Sequence, residues 1–310
     1  MGTPKAAVPS LERILKDGHE VAAVYTQPDR PSGRGNKINF SAIKELALGH
    51  KLPVLQPTKI KTPEALAEFK AINADVAVVV AYGRILPESF LSTFPKGAVN
   101  VHFSMLPKYR GAAPVNWAIV NGETVTGVTT MQMDAGLDTG NILLQRGTQI
   151  SANETSIELI DRLSFIGADL LSETLTKYDD LSGKPQDHDA STFAPIMKRE
   201  DGLINWGMTA RKIANRVRGF QPFPGSFTVF REQKLGIWRA GKVFEEVQSP
   251  KSKVQRSFGE IIEAKGDNLF IQCGSETVLQ VDELQPEGKR RMPVRDFVNG
   301  LQPKIGEVFG

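Results

Sequence analysis

Residues 76–80, four valines and an alanine, form an unbroken apolar run. This run limits the possible folds more than any other feature of the chain. β-branched side chains favour extended backbone, and a strand apolar on both sides must be covered on both sides. The run is far shorter than the roughly 20 residues that span a bilayer. It therefore predicts a buried strand in an α/β domain. Further strands are expected at residues 21–25, 53–55 and 98–102, and near 126–133 and 142–150. Helices are expected over 5–17, 41–48, 63–72 and 114–121, with Thr62 as an N-cap and Pro63 in first position. Thr155-Ser156-Ile157-Glu158 is a capping box. It opens a long helix carrying Ile157, Ile160, Leu163, Leu170 and Leu171 on one face. Strands alternating with helices predict a mainly parallel sheet with helices on both faces.

The texture changes further on. Residues 179–192 are polar and contain Gly and Pro, and residues 179–205 read as a linker. After Trp206 a helix over 209–218 leads into Gln221-Pro222-Phe223-Pro224-Gly225 and then into short strands separated by turns. That pattern predicts a small β-barrel. The expected organisation is a domain over 1–178, a linker over 179–205 and a second domain over 206–310, which a chain of 310 residues accommodates. Residues 206–310 hold 17 Lys+Arg against 12 Asp+Glu, whereas residues 1–205 hold 21 against 23. A basic second part beside a near-neutral first part hints at a polyanionic partner. The lone cysteine, Cys273, excludes an internal disulfide and suits a reducing compartment. The start shows no long apolar core, so a cytoplasmic protein is expected. Histidines at 19, 50, 102 and 188 show no metal-ligand spacing, and no metal is expected.

Candidate chemistry sits where the 98–102 strand ends in Asn100-Val101-His102-Phe103-Ser104-Met105-Leu106-Pro107. Alternate strand residues share a face, so Asn100 and His102 point the same way. An amide donor beside an imidazole supplies the parts that stabilise an oxyanion and carry a proton. Downstream, Gly136-Leu137-Asp138-Thr139-Gly140 sets a carboxylate in a tight turn, where Asp138 could orient or charge the imidazole.

These two segments resemble the folate-dependent N-formyltransferases. The flanking AYGRILP and KYRGAAPVNWAIVNGE are similar to the members that act on methionyl-tRNA, and the match runs along nearly the whole chain. The resemblance implies a Rossmann-like catalytic domain and an OB-like C-terminal β-barrel. It implies transfer of a formyl group from 10-formyltetrahydrofolate, as co-substrate, to the α-amino group of methionyl initiator tRNA, by a monomer without metal or membrane. Asn100, His102 and Asp138 would be catalytic. Ser104, Met105, Leu106 and Pro107 would meet the folate, with Tyr82, Gly83, Ile85 and Leu86 as pocket wall. Arg30, Arg34 and Lys37, in a Gly-rich loop, would contact tRNA. So would Arg216, Arg218, Lys289, Arg290 and Arg291, with Lys212 and Arg295 as further cations.

The trio also fits a formyltransferase for another amine, an amino sugar or a ribonucleotide. A non-catalytic folate- or RNA-binding protein is the reading from another class. Phe103 and Met105 stand where the family has a small residue and a leucine, and Phe223 where it often has tryptophan. Phe103 either points away from the site or narrows the cofactor pocket. In the resembling family an apolar strand interior to the sheet precedes the Gly2-Thr3-Pro4 segment. Its absence here is the pattern expected if Met1 is internal to a longer protein with a start assigned too late; if the strand is truly missing, the neighbouring strands are expected to lose ladder pairing and stability.

Overall fold

A computed structural model describes residues 1–32, 37–244 and 256–310, with the backbone alone at 31–32 and 37–38. Its contacts group the chain into two units. The first holds Met1–Pro114, Val125–Gln149 and Leu159–Pro195, the second Val115–Thr124, Ile150–Glu158 and Ile196–Gly310. The expected linker is thus divided, its residues through Pro195 packing in the first unit.

The first part of the chain runs α1 (Val8–Lys16), β1 (Val24–Tyr25), β2 (Arg30–Ser32), β3 (Lys37–Asn39), α2 (Ala42–Gly49), β4 (Val54–Leu55), α3 (Pro63–Ala71) and β5 (Ala77–Val79). It continues through α4 (Glu88–Leu91), β6 (Ala98–His102), β7 (Arg110–Gly111), α5 (Pro114–Val120), β8 (Val125–Gln132), β9 (Ile142–Gln149), α6 (Ser156–Thr176) and β10 (Phe193–Ala194). Local signals behave as the sequence predicts. Thr62 accepts from the Ala65 N–H, and Thr155 and Glu158 bond reciprocally at the start of α6.

The main ladder has the order β5-β6-β8-β9. β5 and β6 are parallel, joined by a crossover through α4, and β6–β8 and β8–β9 are antiparallel. Parallel neighbours need a long crossover, whereas antiparallel ones can be joined by a short loop. Only residues 133–141 separate β8 from β9, so the sheet is mixed at this edge. Both faces of β6 are covered. Ala98 joins a cluster with Phe69, Phe90 and Phe94 from the α3–α4 side. On the other face Gly167 of α6 lies so close that a Cβ there would come within 2.9 Å of Val101 and 3.4 Å of Phe103. Phe103 therefore packs toward α6, on the face opposite Asn100 and His102.

The N-terminal side of this sheet is less complete. β1 pairs only with β4, and Met1 and Gly2 link that pair to β5. The Met1 amine donates to Val78 O at 2.7 Å, Val80 N to Met1 O, and Gly2 N to Tyr25 O. Strands end where partners end. The strand expected over 21–25 is confined to Val24–Tyr25, and the one over 76–80 to Ala77–Val79 with a bridge at Val80. A cleft of about 570 Å³ lies here, lined by Met1, Val21, Tyr25, Phe69, Val76 and Val78 among others.

The second unit contains α7 (Ala210–Gly219), β11 (Ser226–Phe230), β12 (Gln233–Phe244), β13 (Ile261–Lys265), β14 (Asn268–Gln272), β15 (Val278–Pro286), β16 (Met292–Pro293) and α8 (Val294–Leu301). Its strands form one antiparallel sheet of order β11-β12-β15-β14-β13, with β16 on β15. Register shifts along β12 bend the sheet toward a barrel-like curl. One core fills it, including Trp206, Ile213, Val217, Phe230, Phe297 and Phe309. Cys273 belongs to that core, where burial pushes its thiol up to about 12 and leaves it unreactive. Among the described residues no helix is long and apolar enough to cross a membrane.

Candidate active site

The site forms where β6 leaves the sheet. Val99 and Val101 tie the strand to the core, while the register with β8 sets Asn100 opposite Met131 and His102 opposite Thr129. Asn100 is 9% exposed and His102 6%. His102 Nε2 lies 2.9 Å from Tyr109 O, a carbonyl that can only accept, so Nε2 carries a hydrogen. Nδ1 faces Asp138, 3.7 Å from Oδ2. The two residues, far apart in sequence, thus meet as the motif predicts. The gap is longer than a hydrogen bond, within the range over which catalytic contacts tighten once substrate is bound.

Asp138 is held from several directions. Its Oδ2 accepts from Gly111 N at 2.8 Å. Its backbone is left-handed, with φ of 53°, an uncommon conformation that clusters at functional sites. Asp134 braces the start of the turn by accepting from Gly136 N and Thr139 Oγ1. Gly140 closes it, where a Cβ would collide with Gln132 O.

The loop after His102 is clamped by residues without an obvious sequence signal. Thr129 Oγ1 donates to Ser104 O at 2.7 Å and accepts from Leu106 N and Gln145 Nε2, and the same Gln145 nitrogen donates to Leu106 O. Tyr109, Arg110 and Gly111 lie in the KYRGAAP segment that carries the resemblance, but the sequence assigns them no role in the site. They gain their role because three consecutive residues touch His102, the 186 side chain and Asp138 in turn.

The residues expected to meet folate divide by exposure. Ser104 is fully buried and its hydroxyl donates to Lys108 O. Leu106, Tyr82 and Leu86 are buried at 3%, 1% and 3%, whereas Ile85 is 68% exposed. Gly83 has φ of 78°. Met105 and Pro107 are half-buried. Tyr82 and Leu86 belong to the core cluster around Phe69 and Phe90, and of the expected wall residues Ile85 is the exposed apolar side chain. The 570 Å³ cleft is a separate feature, lined by none of Asn100, His102 and Asp138.

The expected cationic residues divide similarly. Arg34 and the side chain of Lys37 lie outside the described residues, and Arg30 is exposed. Arg216 donates to Asp201 O and stacks on Phe220, while Arg218 bonds Glu154 O and Asn215. Burial lowers the proton affinity of both guanidinium groups. Arg291 lies 3.9 Å from the Trp238 ring centroid, and Arg295 pairs with Asp267. Lys212, Lys289 and Arg290 are exposed.

An amide, an imidazole and a carboxylate at the end of an α/β sheet strand define a site suited to acyl transfer without a covalent enzyme intermediate. The chain belongs to the formyl transferase family: the formyl transferase model matches residues 1–175 and the formyl transferase C-terminal domain model residues 196–302. It is 47% identical to the methionyl-tRNA formyltransferase of Koribacter versatilis over 312 residues, covering 100% of this chain and 97% of that one. With the methionyl-tRNA formyltransferase of Acetivibrio thermocellus it shares 45% over 314 residues, covering 100% and 98%. Among solved structures, an N-formyltransferase from Helicobacter canadensis in complex with folinic acid and dTDP-3-aminofucose superposes with a TM-score of 0.66 over 92% of this chain and 97% of that one. At 22% identity that likeness speaks to the fold.

Proposed function

We propose that this chain transfers the formyl group of 10-formyltetrahydrofolate to the α-amino group of methionine on initiator tRNA. The observation that carries the reading is the approach of Asp138 to His102 beside Asn100, in a chain nearly half identical over its whole length to methionyl-tRNA formyltransferases.

The uncharged amine attacks the formyl carbon. A C–N bond forms, and negative charge gathers on the formyl oxygen. Asn100 donates an N–H to that oxygen, and His102 lines the same face of β6. Asp138 and the Nδ1 of His102 receive the proton that the attacking amine sheds. The bond from the formyl carbon to N10 of the folate then breaks, and N10 takes up a proton, so the amine's proton is balanced on the leaving group. Leu86, Tyr82 and Leu106 give the folate an apolar floor, and the exposed Ile85 and backbone of Gly83 are its first contacts. This donor set suits a flat heterocycle.

Arg30, Lys289 and Arg290 are the cations we assign to tRNA phosphates, because they are exposed. Arg291 is a stacked, more rigid contact beside them. Replacing Lys289 and Arg290 by Ala is expected to weaken tRNA binding and to lower the slope of log K against log salt by roughly one per lost phosphate contact.

The deciding experiment incubates the folded protein with charged initiator tRNA and 10-formyltetrahydrofolate and measures formyl-methionine. Absence of product refutes the reading. Uncharged tRNA is expected to compete with this turnover. An enzyme for a small amine would be indifferent to it.

A further inference from the structure

Residues 179–192 look like a polar connector in sequence, yet Gln186 within them is only 6% exposed. Its amide nitrogen donates to Asp138 O at 2.9 Å and to Gly140 O at 2.7 Å. Its amide oxygen accepts from Arg110 Nε at 3.1 Å and Nη2 at 2.7 Å. Arg110 is itself 3% exposed, and its remaining terminal nitrogen lies 3.3 Å from Nδ1 of His188. One side chain thus uses both ends of its amide, the donor end on the turn that carries Asp138 and the acceptor end on β7.

β7 is fixed in turn. Arg110 N donates to Thr192 O and Ala112 N to Ala194 O, so β7 pairs with β10. Tyr109 N donates to Thr192 Oγ1 at 2.8 Å. On the site side, Tyr109 O meets His102 and Gly111 N meets the Asp138 carboxylate. A buried polar side chain that leaves a donor or acceptor unmatched is costly. Gln186 is matched at both ends, and its bonds fall on the turn holding one catalytic candidate and on the strand touching the other.

We propose that Gln186, held by Arg110, is a positioning residue for formyl transfer: it sets the backbone of residues 138–140 and with it the reach of Asp138 to His102. The proposal rests on the reading of His102 and Asp138 as the proton-handling pair. Its physical basis is the steep dependence of rate on placement, where a shift of about 1 Å can cost on the order of 100-fold.

Gln186→Glu separates positioning from packing. The carboxylate keeps the size of the side chain and the acceptor for Arg110 but loses both donor bonds to the turn. The expected result is a kcat lower by roughly 10-fold, with KM for the folate donor and for charged tRNA within about twofold. The kcat/KM–pH profile is compared between variants, because Gln186→Glu adds a carboxylate beside the Asp138 turn whereas Arg110→Lys adds no negative charge. Arg110→Lys loosens the same clasp from its other end and is the second variant, expected to lower kcat in the same sense. Asp138→Asn is the control for the underlying reading. If Asp138→Asn abolishes turnover while Gln186→Glu and Arg110→Lys keep wild-type kcat and pH profile, the positioning role is overturned and the site reading stands. If Asp138→Asn retains wild-type turnover, the site reading itself fails.

Discussion

The strands β5 and β6 lie side by side, yet their surroundings differ. β6 is paired along both edges, and the loop beyond it is fixed by Thr129, Gln145, Tyr109 and Gly111. β5 is paired with β6 on one edge only. Its other edge meets just Met1 and Gly2 beside an open cleft, with a terminal amine drawn into the interior. On the β6 side, satisfied hydrogen bonds hold polar side chains still enough for chemistry. On the β5 side, the Met1 amine lies against Val78 O, where burial disfavours its charged form.

The largest test falls on the complete side. Removing the imidazole (His102→Ala) or neutralising the carboxylate (Asp138→Asn) is expected to lower kcat about 1,000-fold, within the usual range for lost acid–base groups. Circular dichroism and the melting temperature should barely move. A variant that unfolds instead would mean that this edge of the sheet depends on the pair for stability, and the contrast between the two strands would dissolve.

The next effect belongs to the incomplete side. Burial pushes the Met1 amine down to about 5 from its ordinary 8.0. Between those values the unfolded chain binds a proton that the folded chain does not. Stability therefore rises with pH through this window and is lost as pH falls toward 5. Three pH units correspond to at most about 4 kcal/mol. His19, Glu20, Asp75, Lys96 and two tyrosines also line the cleft, so urea titrations should be compared with those of an Nα-acetylated sample. Equal pH slopes in the two samples would show that the amine is not the cause.

A smaller effect is expected at the clamp. Thr129→Val strands Leu106 N, an amide donor of Gln145 and Ser104 O at once. The cost should be about 2 kcal/mol of stability, with a several-fold fall in kcat as the 104–106 loop relaxes. Unchanged denaturation midpoints would remove Thr129 from the framework.

Much of this was legible in the chain itself. The valines of residues 76–80 required a strand, though its full cover on both faces is not met, since Val76 and Val78 are half-buried and line the cleft. Thr62 and Thr155 mark helix starts because their hydroxyls accept from backbone N–H groups three residues away. Period-two alternation placed Asn100 and His102 together, and it placed Phe103 on the other face, where α6 receives it. These readings succeeded because each depends on neighbours in sequence. Strand lengths at residues 21–25 were overestimated, since a strand needs a partner that its own residues do not reveal. The antiparallel edge at β8 and β9 was missed because alternation hides direction where no helix intervenes. Folding alone decided that Arg216 and Arg218 are engaged inside the second unit, and that a glutamine in a polar stretch reaches the Asp138 turn. Local sequence fixes which groups can form hydrogen bonds and which way they point. Only tertiary structure brings their partners from 27 to 76 residues away, because such bonds gain strength only after the core has excluded water from both ends.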